Sequence, residues 1–311
     1  MINQENIEAL FDCLDESSTL LYQKHKISYL EGLIKTCENI ISNDIEDNYS
    51  EIENELKTKI NKINKIEFKK EEIRKAFQYA CLRGFKHGQI SNQMITPDTI
   101  GVFINYLVSK LYDSKALLVL DPVVGTGNLI TSLANNSDKE MNLFGVDIDV
   151  LSYKLSTALF DMLGYGEQVY CQDSFTYNSP LVDLIVADFS GIQEEDVYKL
   201  LQHHGNNIQI GGFLIGVFDE EIIKENVLVE HSKDLNEIWK LFGLIKLPKG
   251  ILKNQNKSIV IFQKNGDIVI QPKAFLIVEL PEFSENEEMR KVIDQLNGWF
   301  KNTEFYKLGE K

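Results

Sequence analysis

Apolar positions along this chain change their period near residue 90, and the change divides it in two. Before that point Ile7, Leu10, Phe11 and Leu14 recur at three and four, the spacing that places them on one stripe of an α-helix. Ile52, Leu56, Ile60 and Ile63 make a second stripe in the Lys- and Glu-rich stretch from Glu51 to Ile66. Ile73, Phe77 and Cys81 make a third, in a helix expected from Lys70 to about Lys86. Residues 1–90 therefore read as a helical N-terminal domain, whose stripes either pack on one another or form a docking surface for a partner.

Beyond residue 90 short apolar runs alternate with helical stretches. In Thr96-Pro97-Asp98 the threonine suits an N-cap and the proline the first helical position, with Ile100 to Leu111 as the apolar face of the helix that follows. Strands are expected at Ala116 to Leu120, Leu143 to Asp147, Gln168 to Asp173, Val182 to Asp188, Gly211 to Phe218, Leu241 to Leu247 and Ser258 to Gln263. Phe275 to Leu280 adds another, and Glu285 to Phe300 a closing helix. Strands alternating with helices imply an α/β domain over residues 91–311, with a mainly parallel sheet covered on both faces.

Composition narrows the class. The 311 residues are 43% hydrophobic and 25% charged, as in soluble globular proteins. No apolar run approaches the ~20 residues that span a bilayer, so no membrane association is expected. The start Met1-Ile2-Asn3-Gln4-Glu5 lacks a basic, apolar leader, so a cytoplasmic location is expected. Cys13, Cys37, Cys81 and Cys171 are widely spaced, which points to reduced, mostly packed thiols and to neither a disulfide framework nor a zinc site. Net charge is −15, so DNA or RNA is expected to bind the isolated chain weakly, because affinity for nucleic acid draws on Lys and Arg facing phosphates. Two basic clusters stand out, Lys62, Lys65, Lys69, Lys70, Arg74 and Lys75, then Lys246, Lys249, Lys253 and Lys257. They read as a solvated helix face and a loop edge.

The chemistry is concentrated in Asp121-Pro122-Val123-Val124-Gly125-Thr126-Gly127-Asn128-Leu129-Ile130, which joins the first strand to a helix. Gly125 and Gly127 allow close backbone approach and torsions that a Cβ forbids, and the helix N-terminus adds unpaired N–H groups. Asp147 follows by roughly 20 residues, the spacing at which a carboxylate meets a ribose diol. Ligands of open α/β sheets bind beyond the carboxyl ends of the strands, so Asp121, Asp147, Asp173 and Asp188 are expected to share one rim.

Asp121-Pro122-x-x-Gly125-Thr126-Gly127-x-Leu129 resembles the cofactor motif of class I S-adenosylmethionine-dependent methyltransferases, in the form found in N6-adenine DNA methyltransferases. The likeness extends to the methylase subunit of type I restriction systems and to small stand-alone relatives in Gram-positive bacteria. Gln93-Met94-Ile95-Thr96-Pro97 is similar to the family's Thr-Pro element, and Leu244 to Pro248 with Lys257 to Lys264 to its late strand pair. The resemblance implies a Rossmann-like, seven-stranded methyltransferase sheet with S-adenosylmethionine as cofactor and no metal. By position it implies Asp121, Gly125 and Gly127 around the methionine moiety and Thr96 closing that end. Asp147 would meet the ribose, Asp173 the amine of the cofactor's adenine, and Pro122, Ile148 and Ser174 would lie beside these groups.

The family's catalytic motif, Asn or Asp followed by two prolines and an aromatic residue, is replaced here by Asp188-Phe189-Ser190-Gly191. Asp188 keeps the ability to accept a hydrogen bond from a target amine, and Phe189 is the remaining ring for stacking on an extruded base, although a Phe at the end of a buried strand also suits the core. The chain after the late strand pair is too short for a separate target-recognition domain, so recognition would fall to a partner subunit. Three functions stay open: methyl transfer to an amine of nucleic acid or another acceptor, cofactor binding without catalysis in a protein that acts through protein partners, and nicotinamide-dependent oxidoreduction. The last lacks the third glycine of its motif, where Ile130 stands.

Overall fold

The computed structural model describes residues 2–45, 47–89, 95–224, 232–249, 256–270 and 272–308. Lys253 and the pair Gln93-Met94 lie outside the described residues. Helices α1 (Gln4–His25), α2 (Tyr29–Ser42), α3 (Glu53–Asn61) and α4 (Lys70–Gly88) make up the N-terminal part, with a 3-10 segment at Asp47–Ile52. Asn3 caps α1, and Ser28 with Glu31 closes a reciprocal capping box on α2. The helix expected over Glu51 to Ile66 is shorter than its apolar stripe. The N–H groups of Lys62, Ile63 and Ile66 reach back only three residues, so the chain tightens into turns after Asn61. The stripe itself is kept, since Ile52, Leu56, Ile60 and Ile63 are all buried.

The rest of the described chain alternates α5 (Asp98–Leu111), β1 (Ala116–Asp121), α6 (Asn128–Asn135), β2 (Glu140–Asp147), α7 (Val150–Leu163), β3 (Val169–Cys171), β4 (Val182–Asp188), α8 (Glu194–His204), β5 (Ile208–Asp219), α9 (Glu220–Lys224), α10 (Ser232–Ile238), β6 (Trp239–Lys246), β7 (Lys257–Lys264), β8 (Leu276–Glu279) and α11 (Asn286–Asn302). The strands form one sheet in the order β3-β2-β1-β4-β5-β7-β6-β8. Pairing is parallel from β3 to β5, whereas β7 runs antiparallel between β5 and β6. An all-parallel dinucleotide-binding sheet follows the order 3-2-1-4-5-6, so the reversed β7 separates this fold from the oxidoreductase reading.

Burial on both faces explains why the central strands are nearly continuous apolar runs. Helices α5, α6 and α11 share one apolar cluster with the sheet, and α8 and α10 share another with its opposite face. The third cluster joins the N-terminal helices to Leu155, Ala158, Leu159 and Leu163 of α7. The stripes near the N-terminus thus pack on one another and on α7. Cys13, Cys37 and Cys81 are buried free thiols and Cys171 is exposed. No helix among the described residues is long and apolar enough to cross a membrane.

Candidate cofactor site and its supports

The carboxyl ends of β1, β2 and β4 frame a cleft of about 370 Å³. At the end of β1 Asp121 is 2% exposed, and its Oδ1 accepts the Val123 N–H at 3.1 Å. Oδ2 takes no hydrogen bond from the described residues. Burial pushes this carboxyl well above the usual range; the Val123 N–H opposes the shift, and the charges of Asp147 and Asp188 reinforce it. The turn that follows needs glycine twice, at φ +52° for Gly125 and φ +78° for Gly127. Gly127 also seats α6 against α7, because a Cβ there would lie 3.3 Å from Ser156 Cβ and 3.4 Å from the Phe160 ring.

Asp147, closing β2, accepts the Gly125 N–H at 2.9 Å on Oδ2 and the Asp149 N–H at 2.8 Å on Oδ1. Each oxygen keeps a lone pair for a ligand donor. Burial raises the pKa of this acid too, against the pull of those two N–H groups. Asp188, closing β4, accepts the Thr96 hydroxyl at 2.8 Å on Oδ2, and both the N–H (3.1 Å) and the hydroxyl of Ser190 on Oδ1. Thr96 therefore does not cap α5 as its sequence position suggests: α5 starts at Asp98 with Pro97 in the capping place, and the Thr96 hydroxyl reaches across to β4.

Thr96, Asp121, Gly125, Asp147, Ile148 and Asp188 all line the cleft, joined by Asn128, Asp149, Ser190 and Ile192. Five other expected residues do not line it. Gly127 sits behind the turn. Strand β3 stops at Cys171, so Asp173 falls in the following turn and accepts the Phe175 N–H at 2.9 Å. Ser174 donates to the Pro122 carbonyl at 2.6 Å, and this bond ties both residues into the wall. Since that hydroxyl's proton is committed, the 2.9 Å contact with His204 has the imidazole Nε2–H donating, and Asn207 Nδ2 donates to its Nδ1 at 3.0 Å. Burial pushes the His204 pKa down to about 3, so this Ser-His-Asn trio is a neutral brace with no base for a nucleophile. Phe189 is 1% exposed and packs on Phe218 with ring centroids 4.9 Å apart. It belongs to the core because the strand alternation turns it away from the rim, and no aromatic side chain lines the cleft among the described residues.

Two buried cations brace this site, although the sequence pattern of each suggests surface charge. Arg74 on α4 is fully buried. It meets Glu71 with a two-toothed contact of 2.7 and 2.6 Å, donates to Asp98 at 3.0 Å, and also donates to Asn128, whose amide reaches the Thr96 carbonyl at 2.8 Å. Lys70 in the same cluster lies 3.8 Å above the Tyr165 ring. Lys257, 3% exposed, lies 3.8 Å from Asp219 and donates to Ser190 Oγ, which in turn donates to Asp188. Asp219 Oδ2 also accepts the Gly191 N–H at 2.9 Å. The loop that lacks the family's two prolines is thus held by an ion pair across β5 and β7. Lys257→Met is expected to lower stability by about 3 kcal/mol, because it strips Asp219 of its counter-charge. Urea denaturation measures the change, and a loss under about 1 kcal/mol would show that the pair does not hold the loop.

Reversed β7, the glycine turn after β1 and the acid ending β2 define the fold of class I S-adenosylmethionine-dependent methyltransferases. Residues 8–85 match the family described as the YtxK N-terminal helical domain. The chain is similar to YtxK of Bacillus subtilis (strain 168), itself uncharacterized, at 28% identity over 326 aligned positions that span 96% of this chain and 99% of YtxK. A crystal structure from Listeria monocytogenes, described as a candidate class I S-adenosylmethionine-dependent methyltransferase, superposes with a TM-score of 0.84 at 26% identity, covering 96% of this chain and 99% of the other. More distantly, the methylase subunit of the type I restriction enzyme EcoEI from Escherichia coli is 22% identical over 252 positions, covering 68% of this chain and 51% of that subunit.

Proposed function

We propose that the cleft binds S-adenosylmethionine and that the chain transfers its methyl group to an amine acceptor, of nucleic acid or of another molecule, presented to Asp188. The lining carries the argument: Asp121, Asp147, Asp149 and Asp188 contribute four carboxylates, with no Lys, Arg or His among the described lining residues. Such a lining suits a cation and repels the pyrophosphate of a nicotinamide dinucleotide. The free lone pairs of Asp147 suit a vicinal diol, and about 370 Å³ lies within the usual range for small-ligand sites.

When bound, S-adenosylmethionine supplies an electrophilic methyl group on a positively charged sulfur. The chain's residues provide position and polarity, without metal or covalent help. Asp121 and Asp147 hold the two ends of the ligand. Asp188 accepts a hydrogen bond from the acceptor amine, directs the nitrogen lone pair toward the methyl carbon, and draws off the proton as nitrogen gains its new bond. Thr96 and Ser190 fix the orientation of that carboxylate.

A second reading, cofactor binding without turnover in a protein that acts through a protein partner, is favoured by the burial of Phe189 and by Gly191 at the ring position of the family motif. Labelled S-adenosylmethionine offered with unmethylated DNA, RNA and cell extract separates the two. Transfer that Asp188→Ala reduces at least a hundredfold supports methylation. Cofactor binding with no transfer to any acceptor, in wild type and variant alike, leaves the second reading. A thermal shift with NAD and none with S-adenosylmethionine would reject both.

A further inference from the structure

A second cavity, of about 440 Å³, lies among the N-terminal helices, between α1, α2, α4 and the first turn of α7. It is separate from the cleft but adjoins it, because Leu151 lines this cavity while its chain neighbour Ser152 lines the cleft. We infer that this cavity binds a nucleoside 5′-phosphate, a planar base carrying one phosphate, whatever fills the cleft.

Charge selects the ligand's sign. The chain carries −15 overall, yet none of the described residues lining this cavity is Asp or Glu, whereas Arg83 and His87 both line it. Arg83 is partnered through Nη1 alone among the described residues, by Asp15 Oδ2 at 2.8 Å. The remainder of its fork is left for a phosphate, which a guanidinium meets with two parallel N–H groups. Asp15 is buried and also accepts the Tyr29 hydroxyl, at 2.7 Å on Oδ1. One carboxylate therefore fixes both the cation and the ring before any ligand arrives, which lowers the ordering cost of binding.

The aromatic surface selects the rest. Tyr29, 7% exposed, stacks on His87 with ring centroids 5.7 Å and planes 20° apart. Tyr22, 57% exposed, lines the same cavity. Such rings are stacking platforms for a base. A purely apolar ligand would cover Arg83 without giving it a partner, and a bare phosphate would leave the ring surface unused. A free mononucleotide and the end of a strand carry the same chemical unit. About 440 Å³ suits one such unit, and the acidic surface beyond repels further phosphates, so the free mononucleotide is the expected source.

Calorimetric titration of the full chain with adenosine 5′-monophosphate, adenosine, inorganic phosphate and a short 5′-phosphorylated oligodeoxyadenylate tests the idea. Wild type is expected to bind the monophosphate at least about tenfold more tightly than adenosine or phosphate, since one ligand carries both anchors. Arg83→Ala is expected to weaken it about tenfold through the lost charge-assisted hydrogen bonds. Tyr22→Ala, at an exposed position that the fold does not depend on, is expected to weaken it about fivefold through lost stacking. Asp147→Asn, in the cleft, is expected to leave this affinity unchanged. No binding of the monophosphate by wild type overturns the inference. Binding that neither Arg83→Ala nor Tyr22→Ala weakens, or that Asp147→Asn abolishes, overturns it as well. Tighter binding of the oligonucleotide than of the monophosphate overturns the free mononucleotide as the source.

Discussion

Arg74→Met is expected to lower unfolding stability by about 4 kcal/mol, although residue 74 does not line the cleft. The guanidinium is fully buried and uses its fork on Glu71, while Nη1 serves Asp98 and Asn128 from two further helices. Methionine fills much of the volume but leaves Glu71 as a largely buried carboxylate with no counter-charge and removes a donor from Asp98. For a domain of this size the loss corresponds to a fall in Tm of about 10 °C. Lysine is a poor substitute, since it offers a point charge where a planar fork is needed. Asn128 loses its tether as well, so affinity for S-adenosylmethionine is expected to fall about tenfold, through the floor of the glycine turn. Paired thermal melts and calorimetric titrations check both parts. A stability loss below about 1 kcal/mol would show that the buried network is replaceable.

Asp121→Asn is expected to act in opposite directions on stability and on binding. In the ligand-free protein the carboxyl has a pKa raised chiefly by burial. A raised acid favours the fold fully below its unfolded value of ~3.9, and that contribution is lost as pH climbs through the folded value. At pH 7–8 the native aspartate is therefore a burden on the fold. Asparagine keeps an oxygen for the Val123 N–H and removes the charge, so Tm is expected to rise by about 3 °C at pH 8. The gain should vanish below about pH 3, where Asp is neutral in both states. Binding moves the other way, because a cation needs Asp121 ionised. S-adenosylmethionine affinity of wild type is expected to climb with pH and to release protons, and the variant to lose both properties and at least tenfold in affinity. Titrations in buffers of different ionisation enthalpy measure the proton release; none in wild type, or a variant less stable than wild type at pH 8, contradicts the assignment.

These residues also mark where sequence reasoning succeeds. The strands could be read because each is a short apolar run ended by an acid or a turn, and both signals are local. Asp121, Asp147 and Asp188 each end such a run, and the parallel order of β1, β2 and β4 sets them on one rim. The same rule misplaced Asp173, since β3 spans only Val169–Cys171 and the acid falls two residues beyond it. Thr96 carried a local capping signal, yet its hydroxyl partner lies 92 residues away, and nothing in the local pattern encodes that contact. Arg74 and Lys257 read as surface charge because charged residues within clusters usually face solvent. Their partners Asn128 and Ser190 lie 54 and 67 residues away. Lys257 nevertheless had a signal: it opens an apolar strand whose neighbour across the sheet ends in Asp219.

The apolar seam between the N-terminal helices and α7 has a consequence for the order in which the molecule can be made. Synthesis releases residues 4–88, with all four N-terminal helices, well before Val150–Leu163 appears. Until then the surface that will meet Leu155, Leu159 and Leu163 has no cover. Domains generally fold as the chain emerges, and exposed apolar surface at that stage invites association. A ribosome pausing between residues 88 and 150 would thus display a sticky helical bundle, one that a chaperone or a second nascent chain could capture before α7 arrives to claim it.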